Sequence, residues 1–202
     1  MTVLVVMAMA AEAEPLAAAL GLAEADSPIG DPLPARWFDG PDVCLVVNGR
    51  DRRHRVDSIG TVPAALTTLR AIERVNPTWV VSAGTAGGFA GRGGSIGQVV
   101  LARGPMIHHD RRIPLAGFDE YAIGRYPTAD LAELAEKLGF TAGPCSSGDS
   151  LDAPDLDLEA MAVHGTLAKD MEAAAVARVA EITGRPFTAI QVITDIVDDP
   201  RP

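Results

Sequence analysis

Three carboxylates lie where predicted elements of the chain meet. Glu12 follows the first apolar run, Asp195 follows the last, and Glu172 opens an alanine-rich stretch. A carboxylate that emerges from an apolar strand is expected to be partly desolvated, which raises its pKa and lets it hold a proton near neutral pH. Each also has a structural interpretation: Glu12 as an exposed helix acid, Asp195 as a cap or turn residue, and Glu172 as a favourable charge at a helix start.

A glycine-containing segment, SAGTAGG (82–88), follows another apolar run. Glycines at the carboxyl end of a strand let backbone N–H groups approach a ligand, and open α/β sheets bind ligands at that edge. The segment is not GxGxxG and lacks the lysine of a phosphate loop, so a tight turn explains it equally well. Because Glu12, Thr85, Glu172 and Asp195 all lie at predicted strand ends or adjacent helix starts, we expect them to share one pocket.

Short apolar runs alternate with segments of helical period, which indicates one α/β domain with a central mixed β-sheet flanked by helices. The predicted strands span residues 2–7, 43–48, 78–83, 97–103, 141–148 and 187–194. The predicted helices span residues 10–20, 61–75, 128–138 and 172–183.

Some local features are also predicted. Thr128 is suited to cap the third helix. Residues 48–60 are charged and are predicted to form a loop. Residues 104–127 are not assigned to a helix or strand, and a connection of this length is often functional. The second helix is expected to bury one apolar face, made of Val62, Leu66, Leu69, Ile72 and Val75.

Composition limits the classes of partner. The chain has 202 residues, of which 48% are hydrophobic, and a net charge of −10. This charge disfavours a broad nucleic-acid or anionic-membrane surface. The apolar start lacks the basic region of a signal peptide, so we predict a first buried strand and a cytoplasmic protein. Cys44 and Cys145 form no CxxC and are predicted to be buried free thiols.

The four histidines do not indicate a metal site. His108 and His109 are adjacent and would point in opposite directions from a strand, and neither His54 nor His164 completes a metal-ligand spacing. A Ser/His/Asp triad is not favoured either, because no GxSxG elbow is present. We therefore expect neither a metal nor a cofactor.

Seven segments together resemble a known family. They are VMAMAAEAEPL, DSIGTVPAAL, AGTAGGF, HDRRIPLAGFDEYAIG, SSGDSLD, LAKDMEAAAVA and VITDIVDD. The chain resembles the purine nucleoside phosphorylase and nucleosidase superfamily, and within it the plant-type 5′-methylthioadenosine nucleosidases. The resemblance implies a nucleoside phosphorylase-like fold, a homodimer and a place in methionine salvage. It also implies hydrolysis of the N-glycosidic bond of 5′-methylthioadenosine, or a related 5′-modified adenine nucleoside, to adenine and 5-methylthioribose.

The resemblance also implies residue roles. Glu12 would polarise the attacking water, Asp195 would protonate the purine at N7, and Glu172 would bind the ribose hydroxyls. Asp170 matches no such role and reads as a helix-start acid. Further substrate contacts are implied for Met171 against the sugar, Thr85 near the water and ribose, Met9 near the 5′ group, Leu151 and Asp152 in the segment whose backbone reads the purine edge, and Phe118 in a loop that reaches the 5′ pocket of a partner subunit.

Several functions stay open beside this one. Phosphorylases of this fold bind phosphate with arginines, one of them at the position of Ser82, so water is favoured over phosphate as the nucleophile. The alternatives are a purine nucleoside phosphorylase, or a nucleosidase for S-adenosylhomocysteine, 5′-deoxyadenosine or a futalosine-like nucleoside. A nucleoside-binding module without activity is the non-enzyme alternative, although the three retained carboxylates argue against it.

The chain departs from the family pattern in four places. Gln98 replaces a common Asp, and Ala102-Arg103 replaces Ser-Asp; both changes are expected to affect local loop anchoring. The 48–60 loop is unusually basic. The sequence stops at Pro202, where family members continue into a C-terminal helix, so a single domain over residues 1–202 without that helix is expected. If these residues were the whole molecule the pocket would be more open, but we expect the natural protein to be longer.

Overall fold

The computed structural model describes residues 1–199. The end of the predicted domain, residues 200–202, lies outside the described residues, and so does the expectation of a missing C-terminal helix. None of the helices within residues 1–199 combines the length and the apolar character needed to cross a bilayer.

The described residues form twelve strands and six α-helices. The strands are β1 Val3–Met7, β2 Ala23–Ala25, β3 Arg36–Asp39, β4 Val43–Val47, β5 Trp79–Gly88, β6 Val99–Ala102, β7 Met106–His108, β8 Arg125–Tyr126, β9 Thr141–Gly143, β10 Cys145–Ser147, β11 Ala168–Asp170 and β12 Phe187–Ile196. The helices are α1 Ala10–Ala19, α2 Thr61–Val75, α3 Asp119–Ile123, α4 Ala132–Leu138, α5 Asp155–Val163 and α6 Ala173–Ile182, with a 3₁₀ turn at Ala90–Arg92.

One mixed sheet contains all of these strands, as predicted. Its main path runs β2-β3-β4-β1-β5-β11-β10-β7-β8, and β12, β6 and β9 branch from β5. Strand β5 is parallel to β1 and β12 and antiparallel to β11. The parallel strands β1, β5 and β12 therefore end at one edge of the sheet, where loops and helix starts can meet.

The glycine segment extends a strand instead of forming a turn. Ser82 and the residues up to Gly88 belong to β5, which pairs with β12 along its length and with β11 at Gly87 and Gly88. The predicted strand over residues 78–83 was therefore too short, because β5 continues to Gly88. Glycine has no side chain to obstruct neighbouring strands, and this lets the backbone stay paired where three strands crowd together.

Helices α2 and α6 pack through small side chains. In α6 the run from Ala173 to Ala177 is buried, and in α2 the buried residues include Ala64, Thr68 and Ala71. Small residues let two helices approach closely, and this requirement outweighs the larger apolar side chains. The predicted apolar face of α2 was therefore partly wrong, because Val62 is 66% exposed and Leu66 is 47% exposed.

Other local predictions fail for identifiable reasons. Thr128 donates its hydroxyl hydrogen bond to the Gly104 carbonyl at 2.7 Å, and helix α4 begins only at Ala132. The predicted strand over residues 141–148 is two strands, β9 and β10, separated at Pro144. The unassigned segment 104–127 contains β7, α3 and β8, and β2, β3, β11 and α5 were also missed.

Both cysteines are buried free thiols, as predicted.

Close packing at Gly88 gives a testable consequence. A Cβ at this position would lie 2.7 Å from both Cδ1 and Cγ2 of Ile193, a residue with no exposed surface. We expect Gly88→Ala to lower the free energy of unfolding by about 1–3 kcal/mol, because overpacking forces neighbouring atoms apart. Urea unfolding of Gly88→Ala, Ile193→Ala and the double variant checks this. The cost of Gly88→Ala should shrink in the Ile193→Ala background, and additive effects would contradict the proposed overlap.

Candidate active site

A cavity of about 250 Å³ opens at the edge where the parallel strands end. Glu12, Thr85, Glu172 and Asp195 all line it, so the prediction that these residues share one pocket is confirmed. The cavity wall also includes three further predicted substrate contacts, Met9, Met171 and Leu151. A smaller cavity of about 10 Å³, which fits one water molecule, adjoins it beside Glu12, Glu172 and Gln191.

Glu12 is held by Thr85 from across the sheet edge. The backbone N–H of Thr85 donates to Oε1 of Glu12 at 2.8 Å, and the Thr85 hydroxyl donates to the same oxygen at 2.6 Å. Glu12 lies in the first turn of α1, which follows β1, whereas Thr85 belongs to β5. The two parallel strands thus position the carboxylate and its partner, and Oε1 is oriented before any ligand binds.

Glu172 is partly buried and lies directly before α6. The N–H of Gly60, at the start of α2, donates to its Oε1 at 2.7 Å. Burial, together with the nearby carboxyl of Asp170, raises the pKa of Glu172 to about 7. Sequence reasoning missed Gly60, because nothing in a charged loop followed by glycine indicates contact with a residue so distant in the chain.

Asp170 is buried at the end of β11 and connects several elements. Its carboxylate accepts hydrogen bonds from the N–H of Ala173 at 3.0 Å, from Nε2 of Gln191 at 2.7 Å and from the hydroxyl of Ser147. The Ala173 contact supports its interpretation as a helix-start acid. Burial raises the pKa of Asp170 to about 6, and the hydrogen bonds oppose that rise. Its position in the cavity wall was not predicted.

Asp195 is in the cavity but is not desolvated. It lies near the end of β12, after a shift in the pairing register with β5, and its side chain is exposed. The expectation of partial desolvation was therefore wrong, because the cavity is open at this point. The hydroxyl of Thr194 approaches its Oδ1 at 3.3 Å. Gly87 gives this carboxylate room, since a Cβ there would lie 3.1 Å from Oδ2.

Two predicted contacts stand apart from the cavity lining. Asp152 is exposed in the segment after β10, next to Leu151, and its carbonyl accepts a hydrogen bond from the buried Lys169. Phe118 is 42% exposed at the start of α3, where its ring meets that of Tyr121 edge-on. Ile59 and Lys169 line the cavity and were not predicted from the sequence.

The histidines form contacts that need neither a metal nor a nucleophile. His108, Asp110 and Asp149 place ligand atoms within 4.8 Å of one another. The carboxylate oxygens there already accept hydrogen bonds, including two of 2.6 Å from Thr61 to Asp149. These bonds account for the cluster as a loop anchor. His109 contacts a serine hydroxyl, Ser146 Oγ, at 3.1 Å, but both residues are buried away from the cavity lining.

Gln98 anchors a local loop, as expected. Its amide oxygen accepts a hydrogen bond from the Ser95 N–H at 2.9 Å, and its amide nitrogen donates to the Thr141 hydroxyl at 2.7 Å. The basic loop over residues 48–60 is a loop in the structure. It reaches the site through Asp57, whose carboxylate accepts a hydrogen bond from the Ala10 N–H at 3.3 Å.

The fold of the described residues is an α/β fold, and the carboxylate-lined cavity at the edge of its sheet has the form of a small-molecule binding site. The family model described as "Phosphorylase superfamily" matches residues 2–202, and the chain belongs to this family. It is 40% identical to a 5′-methylthioadenosine nucleosidase of Arabidopsis thaliana over all of this chain and 77% of that protein. It is also 38% identical to a 5′-methylthioadenosine/S-adenosylhomocysteine nucleosidase of the same plant, over all of this chain and 81% of that protein.

A solved structure agrees with these relatives. The apo structure of Arabidopsis thaliana 5′-methylthioadenosine nucleosidase superimposes with a TM-score of 0.94 at 39% identity, covering all of this chain and 84% of that one. The predicted fold class, a mixed sheet flanked by helices of the nucleoside phosphorylase type, is therefore confirmed.

The raised pKa of Glu172 predicts a pH-dependent stability. A carboxyl whose pKa is higher in the folded than in the unfolded chain stabilises the fold at low pH, and this contribution is lost as the pH rises through the folded pKa. Glu172→Gln keeps the acceptor for Gly60 but cannot ionise. We expect the stability of the wild type, relative to this variant, to fall between pH 4.5 and about 7.

Thermal unfolding of both proteins at several pH values checks this expectation. Glu159→Gln is the control, because Glu159 is an exposed glutamate on α5. A midpoint difference between wild type and Glu172→Gln that stays constant from pH 4.5 to 7 would contradict the assignment.

Proposed function

We propose that this protein hydrolyses the N-glycosidic bond of 5′-methylthioadenosine to give adenine and 5-methylthioribose. One observation carries the proposal: three carboxylates from distant parts of the chain, Glu12, Glu172 and Asp195, line one cavity. Similarity to nucleosidases over the whole chain supports the substrate class.

The chemistry of the reaction calls for an acid on one side of the bond and a base on the other. Breaking the bond between C1′ and N9 builds positive charge on the ribose and negative charge on the departing purine, as in other glycoside hydrolyses. Asp195 donates a proton to N7 of the purine, which neutralises the leaving group. Glu12 accepts a proton from the attacking water. Thr85 holds Oε1 of Glu12, and the water-sized cavity beside Glu12 supports this role.

The sugar is held by the motif before α6. Glu172 accepts hydrogen bonds from the ribose hydroxyls, and these bonds are strongest when the carboxylate is charged. Binding of the sugar therefore favours the ionised form of a residue whose pKa burial has raised. Met171 packs against the sugar, Met9 lies near the 5′ group, and the backbone at Leu151 and Asp152 reads the purine edge.

Water, not phosphate, is the proposed nucleophile. A phosphate dianion needs cationic or N–H donors, and arginine supplies them best. No arginine is among the described residues that line the cavity, and Ser82 lines the smaller cavity beside it. The amine of Lys169 lies in the wall, but its hydrogen bonds go to backbone carbonyls.

The assembly and cellular setting are also proposed. The protein is a cytoplasmic homodimer of methionine salvage, in which the loop around Phe118 completes the 5′ pocket of the partner subunit. The exposure of Phe118, together with that of Leu115 at 59% and Tyr121 at 58%, supports an intersubunit contact at this loop.

Release of adenine tests the function directly. The purified protein should release adenine from 5′-methylthioadenosine in buffer without phosphate, and added phosphate should neither accelerate release nor yield a ribose 1-phosphate. Chromatography of the products, with S-adenosylhomocysteine, 5′-deoxyadenosine and futalosine assayed in parallel, measures this. Strict dependence on phosphate would indicate a phosphorylase, whereas binding without turnover would indicate a nucleoside-binding module.

Asp195→Asn tests the leaving-group acid. We expect kcat to fall by about 10²- to 10⁴-fold, the usual contribution of a positioned acid, while nucleoside binding is retained because asparagine has the same shape. Single-turnover kinetics and calorimetric binding measure the two effects. Asp198→Asn is the control: Asp198 holds the N–H groups of Ala90 and Gly91, so its loss should lower stability and change kcat little. Full activity of Asp195→Asn would remove Asp195 from this role.

A further inference from the structure

Lys169 is a buried lysine that forms part of the cavity wall. It is only 4% exposed, and it belongs to β11, between Ser146 of β10 and Gly87 of β5. Its Cγ lies 3.6 Å from the position that a Cβ on Gly87 would occupy, on the same side as the Asp195 carboxylate. The lysine stem therefore lies over the glycine segment and its amine extends along the cavity.

The ammonium group of Lys169 converges on three successive carbonyl groups. Nζ donates to the carbonyl oxygens of Ser150 at 3.1 Å, Leu151 at 2.8 Å and Asp152 at 2.8 Å. An ammonium group has three donors, and this geometry gives each donor one acceptor. Because all three carbonyls must point to one nitrogen, the cation restricts the backbone conformation of residues 150–152.

The segment that Lys169 holds has no helix or strand of its own. It lies between β10 and α5, and Leu151 is 82% exposed at the mouth of the cavity. Its upstream end is fixed separately, because the carboxylate of Asp149 accepts two hydrogen bonds from Thr61. Residues 150–152 follow this anchor, and Lys169 is the group that orients their backbone.

We infer that Lys169 is a positioning residue for the purine half of the substrate site: by binding three consecutive carbonyls, it presents the 150–152 backbone to the edge of the base. This inference rests on the proposed function, which assigns that segment to the purine. The role of Lys169 is separate from the binding of the sugar. Glu172 and Met171, which are proposed to hold the sugar, follow Asp170 in the chain and do not contact the carbonyls of residues 150–152.

The amine of Lys169 also lies among carboxylates. Carboxylates interact with it from two elements and two loops: Asp195 from β12, Asp157 from α5, Asp110 from the loop after β7 and Asp152 from the segment itself. Burial lowers the pKa of Lys169, and these carboxylates oppose that change. A neutral residue without donors here would leave the three carbonyls without their shared donor group.

Product binding separates this role from a general structural one. Isothermal titration of adenine and of 5-methylthioribose is carried out on the wild type, Lys169→Met and Lys169→Gln. Methionine keeps the length of the stem without donors, and we expect it to weaken adenine binding about tenfold or more, because binding must then also order the backbone of residues 150–152. Binding of 5-methylthioribose should stay within about twofold. Glutamine has two amide donors and should fall between.

Lys137→Met, at an exposed position on α4, is the matched control and should bind both products as the wild type does. Equal losses for adenine and 5-methylthioribose in Lys169→Met, or in Lys169→Gln if the first variant does not fold, would overturn the inference. Unchanged adenine binding would overturn it as well. Failure of the wild type to release adenine from 5′-methylthioadenosine would instead contradict the proposed function on which the inference rests.

Discussion

Repulsion between acidic side chains is the constraint that the rest of this structure satisfies. Two carboxylates about 4 Å apart repel by about 4 kcal/mol at the effective dielectric constant of a protein surface. Backbone N–H groups at Gly60, Thr85 and Ala173 each donate to a different acid of the site, and these donors come from α2, β5 and α6. The fold therefore stabilises charge as well as shape, because it brings a backbone N–H group to each of Glu12, Glu172 and Asp170.

The alanine run of α6 is a consequence of the same constraint. A motif that holds two carboxyls at the entrance of a helix needs a rigid support, and α6 supplies it by packing tightly against α2 and the sheet. Larger side chains on either helix would move Glu172 away from Gly60. The small buried residues thus connect packing in the core to geometry in the cavity.

The sequence predicted the sheet class, the main strands and the meeting of four site residues, because strand ends and helix starts can be read from local patterns. It could not predict the extension of β5 through Gly87, since glycines equally favour a turn and only pairing with β11 and β12 selects a strand. Nor could it find Gly60 or Lys169, whose roles depend on contacts between distant segments. The exposure of Asp195 could not be predicted from the sequence either, because the position of a residue in a strand does not define how open the neighbouring cavity is.

The hydrogen bond from the Thr85 N–H to Glu12 connects the middle strand of the sheet to an ionisable side chain. Most amide protons of a paired strand exchange with solvent only when strands separate, so their protection reports the opening of the sheet. At Thr85 the acceptor is a carboxylate, and protonation of that carboxylate would weaken the bond while the strand stays paired. The exchange rate and chemical shift of this one amide therefore provide a spectroscopic reading of the charge on Glu12, separate from the stability of the fold.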